Sequence, residues 1–168
     1  MNLGFSEKSP TGEPTYFAEK IWAAIELHNL ITDGEAIEFS NKAGFFELDY
    51  EKIKELAPKV HTIRTDKKNR WKKGNKIHTI YSNMTKESVQ FAPIFYCIST
   101  QKIRIVYEKS EFPTIHIENK ELNFFKTADF EIICNLAIND GFNNVKSFLE
   151  WFDTDFKGKI IHFTDLKY

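Results

Sequence analysis

The sequence predicts an α+β fold: helices first, then a run of strands, then two helices and a closing strand. Three observations carry this. The N-terminal third places Phe17, Ile21, Ala24 and Ile25 at i, i+4, i+7 and i+8, one face of a helix. From residue 59 the period falls to two, most cleanly in Thr114-Ile115-His116-Ile117-Glu118. From Phe130 the helical period returns and holds to Phe152. The order is not an alternation of strand and helix, so a mostly antiparallel sheet or small barrel is favoured over a parallel one. The chain has 168 residues, within the roughly 100–200 expected of one domain. It shows no internal repeat, low-complexity tract or linker.

Taken in order, residues 1–14 read as a loop punctuated by Pro10, Gly12 and Pro14. Thr15 is placed to cap a helix running to about Ile31, and Asp33-Gly34 breaks it. A short helix over 35–42 follows, with Gly44 at its end. Asp49 can cap another, over 50–56, with Ile53 and Leu56 facing inward, and Pro58 stops it. His61 to Arg64 reads as a strand, as do 76–82 and 91–99, with a polar connection between the last two. Ile103 to Tyr107 and 114–118 are further strands. Phe130, Ile133, Cys134 and Ala137 then form a helical stripe, which Gly141 can close in the left-handed conformation. Asn143 or Asn144 can cap the next helix, with Val145, Phe148, Leu149 and Phe152 as its core face. Asp155 and Gly158 turn the chain into a last strand, Lys159 to Thr164.

Composition narrows the function. Sixteen Phe predict an aromatic-rich interior. Cys97 and Cys134 are the only cysteines, too far apart in sequence and too few for a disulfide framework, which fits a reduced, cytoplasmic protein. The N-terminus carries no signal-peptide pattern, and no apolar run reaches the ~20 residues a membrane helix needs. The five histidines make no metal-ligand spacing, and the seven glycines make neither a P-loop nor a dinucleotide fingerprint. Neither a metal nor a cofactor is therefore expected. The charge is uneven. Residues 59–76 hold eight Lys/Arg against one acid, Asp66, a net +7 in a chain of −1, which leaves −8 elsewhere. Such asymmetry points to an anionic partner, nucleic acid first. Lys67, Lys68, Arg70, Lys72, Lys73 and Lys76 are the candidate backbone contacts, and Trp71 among them is a candidate stacking platform for a base.

Lys59, Thr62 and Arg64 set an amine, a hydroxyl and a guanidinium within six residues. On a strand Thr62 and Arg64 point together, and Lys59 joins them only from the preceding loop. Burial and the Arg64 charge would lower the Lys59 pKa, letting it take a proton from Thr62 or water. Arg64 can hold an anion bidentately. Asp140 falls at a predicted helix C-terminus, where the helix dipole raises a carboxylate pKa and suits a general acid. Asn139 beside it is a candidate for reading a base edge.

Three segments together resemble the ASCH domain family of the PUA-like superfamily. Lys59-Val60-His61-Thr62-Ile63-Arg64 is similar to that family's Gly-x-Lys-x-x-Thr-x-Arg signature, with Ala57 where the family has its leading Gly. Arg70-Trp71-Lys72-Lys73-Gly74-Asn75-Lys76-Ile77 is similar to its turn into the next strand. Leu136-Ala137-Ile138-Asn139-Asp140-Gly141-Phe142, with Phe148 and Trp151-Phe152, is similar to its helix, acidic residue, Gly-Phe and second helix. Gly158 to Asp165 resembles the closing strand of a phage or prophage subgroup of small stand-alone members. The likeness covers about 57–168, and 15–56 would be an N-terminal helical elaboration. It implies a PUA-like β-barrel flanked by helices, binding RNA or a modified nucleoside. One branch of the family is an acetylcytidine amidohydrolase, and by likeness its Lys, Thr and acid would be Lys59, Thr62 and Asp140. Three functions follow as expectations: a binder of RNA or a nucleoside, an amidohydrolase of an acylated cytidine-like nucleoside, and a protein-interaction module using the N-terminal helices.

Overall fold

The computed structural model describes residues 1–43, 50–81, 89–108 and 112–168. The expected α+β class is found. A three-stranded sheet has the order β1 (Asn2–Phe5), β3 (Lys76–Tyr81), β4 (Phe95–Tyr96). A five-stranded sheet has the order β2 (His61–Arg64), β8 (Phe156–His162), β5 (Ser99–Val106), β6 (Thr114–Ile117), β7 (Lys120–Leu122), every neighbour antiparallel. Helices α1 (Phe17–His28), α2 (Asp33–Ala43) and α3 (Tyr50–Glu55) lie between β1 and β2, and α4 (Thr127–Asn139) and α5 (Val145–Trp151) between β7 and β8.

The two sheets meet along residues 96–99. Gly74 N–H donates to the Cys97 carbonyl and Cys97 N–H to the Asn75 carbonyl, continuing the β3–β4 ladder; Ile98 N–H then donates to the His162 carbonyl, in the other sheet. One apolar cluster fills the space between them, with Phe5, Phe91, Phe95, Phe148 and Phe163 at its centre. Its rings meet edge-on, as in Phe5–Phe91 at 5.7 Å and Phe95–Phe163 at 5.0 Å, which gives the high Phe content a place.

The expected closed barrel does not form among the described residues: β2 pairs only with β8, and β7 only with β6. The outer edge of β2 shows why. There Val60 N–H donates to the Asn139 carbonyl and Ile63 N–H to the Asp140 carboxylate. The turn after α4 thus satisfies edge donors that a barrel would give to another strand.

Several element boundaries differ from the sequence reading. Residues 2–5 are not loop but β1, which lies parallel to β3 with Asn2 opposite His78. Thr15 does not cap α1; its hydroxyl donates to the Ser6 carbonyl, and the chain enters the helix through Tyr16 at φ 52°. The helix ends at His28, short of Ile31, because Asn29 turns left-handed at φ 49°. Pro93 can donate nothing to a ladder, and in place of one strand over 91–99 the chain forms the short strand Phe95–Tyr96 before β5 begins. A two-residue turn with Glu118 at φ 52° adds β7, which the sequence reading lacked. Gly44 and Asp49, expected as helix-end residues, residue 82 of the expected strand over 76–82, and residues 83–88 of the polar connection that follows it lie outside the described residues. The final helices match: Asn144 caps α5 by accepting from Ser147 N–H, and Phe148 is fully buried. In α4 the buried stripe is Ile133, Leu136 and Ala137, while Phe130 is exposed.

Candidate functional site

The turn between α4 and α5 is where the predicted residues converge. Gly141 takes φ 88°, and a Cβ there would stand 3.0 Å from both Lys59 Cδ and Phe17 Cδ1, so the turn packs directly on the lysine. Lys59 precedes β2, as its parity requires. Its N–H donates to the Lys20 carbonyl, which ties the segment entering β2 to α1. Its side chain is only 2 % exposed, and Nζ donates to the Asp140 carbonyl and, at 2.5 Å, to Asp140 Oδ1. The rings of Phe17 and Phe5 lie 4.7 and 5.8 Å from the ammonium.

Burial pushes the Lys59 pKa down to about 8; Asp140 opposes the shift, and Arg64 and Lys20 add to it. Burial would raise Asp140, but Lys59 and His61 outweigh it and hold the carboxyl below its ordinary value. This corrects the expectation of a protonated Asp140. The helix end does disfavour the charge, but an ammonium at 2.5 Å is the stronger influence. Asp140 is an ionised acceptor for Lys59 and Ile63 N–H, and so a clasp between α4, the entry to β2 and β2 itself.

The other predicted groups are placed as follows. Thr62 is 1 % exposed and, by strand parity, lies on the face of β2 opposite His61; among the described residues it makes no hydrogen bond with Lys59 or Asp140. Arg64 Nη2 donates to the Gly4 carbonyl at 2.8 Å, its guanidinium lies 4.9 Å over Phe5, and its Nε is buried without a partner. Asn139 Nδ2 donates to Tyr168 Oη at 2.9 Å.

Sequence reasoning missed a second buried lysine. Lys20 is 3 % exposed and donates to the Gly141 carbonyl at 2.7 Å and Asn143 Oδ1 at 2.8 Å; burial lowers its pKa to about 8, against a raising effect of Glu19. Its signal was available, because position 20 falls within the apolar stripe of α1 between Phe17 and Ile21. A polar network around Tyr168 was also missed. Tyr168 Oη meets His61 Nε2 at 2.9 Å, and Gln101 pairs with the Tyr168 main chain, Nε2 donating to its carbonyl and Oε1 accepting from its N–H, each at 3.0 Å. His162 Nε2 meets Gln101 Oε1 at 3.0 Å. Burial lowers the pKa of His61, and that of His162 to about 3, so both rings are neutral near pH 7.

The basic segment is a different kind of structure. Asp66 accepts from Arg70 N–H at 2.8 Å and from Trp71 N–H at 3.0 Å, and binds Lys159 at 3.1 Å. Lys159 also reaches Asn69 Oδ1 and the Trp71 carbonyl. The one acid of the window is thereby consumed in shaping its loop. Lys67, Lys68, Arg70, Lys72, Lys73 and Lys76 are all exposed, and none forms an ion pair among the described residues. Trp71, by contrast, is 5 % exposed and belongs to the core, so the expected stacking platform is absent: the loop's hydrogen bonds turn its indole inward.

No protein-family model matches the chain, and no curated protein or solved structure matches it significantly. Among the described residues no cluster of three metal-ligating side chains occurs, and no helix is long and apolar enough to cross a membrane.

Proposed function

We propose that the protein is an ASCH-like, PUA-related domain that binds RNA along the β2–β3 loop. One observation carries this reading: six exposed cations on residues 67–76, none of which forms an ion pair among the described residues, on a loop whose one acid, Asp66, is engaged by Lys159 and by main-chain N–H groups. A polyanion is the natural counter-charge for such a strip, because each phosphate contact releases condensed counterions. A fixed loop also costs less ordering on binding than a mobile one. Lysine acetylation of the chain with and without single-stranded RNA tests it. Protection of Lys67, Lys68, Lys72, Lys73 and Lys76, with Lys8 and Lys120 unprotected, is the expected result; uniform labelling contradicts it.

A second reading, hydrolysis of an acylated nucleoside, is favoured by the lowered pKa of Lys59 and its contact with Asp140. The binder reading is preferred because Asp140 is ionised and Thr62 is hydrogen-bonded to neither group. Turnover of an acylated cytidine by the wild type, lost in Lys59→Arg, would reverse that preference, since Arg cannot deprotonate near neutral pH.

A further inference from the structure

We propose that the cleft between residues 9–15 and the turn leading into α5 is a binding site for a small organic monocarboxylate, held by the ammonium of Lys20. None of its lining residues belongs to the basic loop, so the site goes beyond the RNA-binding reading and does not depend on it. The cleft has a volume of about 160 Å³. That is below the ~300 Å³ at which drug-sized pockets begin, so the ligand is small. At its floor lies a positive charge that the protein does not neutralise. Lys20 is 3 % exposed and forms no ion pair among the described residues. Asp140, the buried acid beside the same turn, is engaged by Lys59 and Ile63 N–H. Glu19 raises the Lys20 pKa only in part, and burial outweighs it. A charge is ordinarily withdrawn from water with a partner, so an ammonium at this depth is suited to an anion arriving from outside.

The hydrogen bonds leave donors for such an anion. Both acceptors of Lys20, the Gly141 carbonyl and Asn143 Oδ1, line the cleft, and Asn143 is exposed at its mouth. They take two of the three ammonium protons, and the third has no acceptor among the described residues. Because an ammonium only donates, the Asn143 carboxamide turns its oxygen to Lys20, and its Nδ2 makes no hydrogen bond among the described residues. The two oxygens of one carboxylate can accept from Lys20 and Asn143 together. Phe142 and Trp151, with rings 5.7 Å apart, and Pro14 offer apolar surface to the rest of the molecule. Glu13 and Glu150, both exposed, also line the cleft, and they disfavour a second negative charge. A monocarboxylate therefore fits better than a phosphate.

The test is calorimetric titration of sodium acetate, sodium benzoate, benzamide and inorganic phosphate into wild type, Lys20→Met and Asn143→Asp at pH 7, with a thermal melt of each protein. Wild type should bind benzoate, and should bind phosphate and benzamide, which has the same shape without the charge, about tenfold more weakly or worse. Lys20→Met removes the ammonium and should lose benzoate binding. Asn143→Asp sets a carboxylate of the chain itself at the 2.8 Å contact with Lys20. It should melt higher than wild type and no longer bind benzoate. If Lys20→Met does not fold, Asn143→Asp decides the matter, since its position is exposed. The site is overturned if neither carboxylate binds wild type, if benzamide or phosphate binds as tightly as benzoate, or if benzoate affinity is unchanged in folded Lys20→Met or in Asn143→Asp.

Discussion

Lys59 Nζ lies 2.5 Å from Asp140 Oδ1, and both side chains are almost wholly out of water. The two residues are 81 positions apart, so the pair fixes the turn after α4 against the entry to β2. An ion pair withdrawn from solvent contributes little against an apolar pair of similar volume, but losing one partner strands a buried charge.

Asp140→Ala should therefore destabilise the chain by about 3–5 kcal/mol. It also removes the acceptor of Ile63 N–H. Lys59→Met combined with Asp140→Ala should recover part of the loss, since no charge is then stranded. Urea denaturation of the three variants measures this; equal losses for single and double variants would show that the lysine is not the partner that matters.

Alkaline pH should stabilise the protein before it harms it. Burial lowers Lys20 from 10.5 to about 8, and Lys59 shifts the same way. Between about pH 8 and 10.5 the unfolded chain binds more protons than the folded one, so stability rises with pH across that window. Lys20→Met should flatten the rise seen in urea denaturation between pH 7.5 and 9.5. A wild type that loses stability over this interval would contradict the buried, depressed lysines.

Trp71→Ala should cost about 3–5 kcal/mol, as a large core truncation does. Trp71→Phe should retain both fold and RNA affinity, because the indole faces the interior. Affinity lost in a stable Trp71→Phe would restore the indole as a base contact.

Phe148→Ala should likewise lower the melting temperature sharply, at about 3–5 kcal/mol. Phe148 is fully buried, with the rings of Phe142 and Phe152 at 5.5 and 4.9 Å. An unchanged thermal melt would mean that α5 presents another face to the core.

Much of this architecture is legible in local pattern. Period two located β2, β3 and β6, and the 3.6-residue stripe with Asn144 and Gly141 located α5 and the end of α4. β1 was not legible, because Asn2-Leu3-Gly4-Phe5 is short, contains Gly and becomes a strand only through its long-range pairing with β3. The barrel failed to close because a carboxylate and a carbonyl from a helix end serve the edge of β2, and no periodicity reports that. Lys59 and Asp140 were grouped as candidate site residues, but neither their direct contact nor the charge state of Asp140, which depends on its distance from the ammonium, could be read from the sequence. Trp71 misled because its flanking charges suggest exposure, whereas Asp66 directs the loop so that only the lysines and Arg70 reach water.

The salt dependence of single-stranded RNA binding tests the proposed role of the β2–β3 loop most directly. Each phosphate contact contributes about 0.7 to the slope of log affinity against log salt for a single strand. Wild type should weaken steeply between 50 and 200 mM salt on that basis. Lys68→Glu/Lys72→Glu/Lys73→Glu should bind more weakly throughout, with a slope shallower by about 2 and an unchanged melting temperature, since all three side chains are exposed. Affinity that ignores both the salt and the triple reversal would contradict an RNA-binding loop.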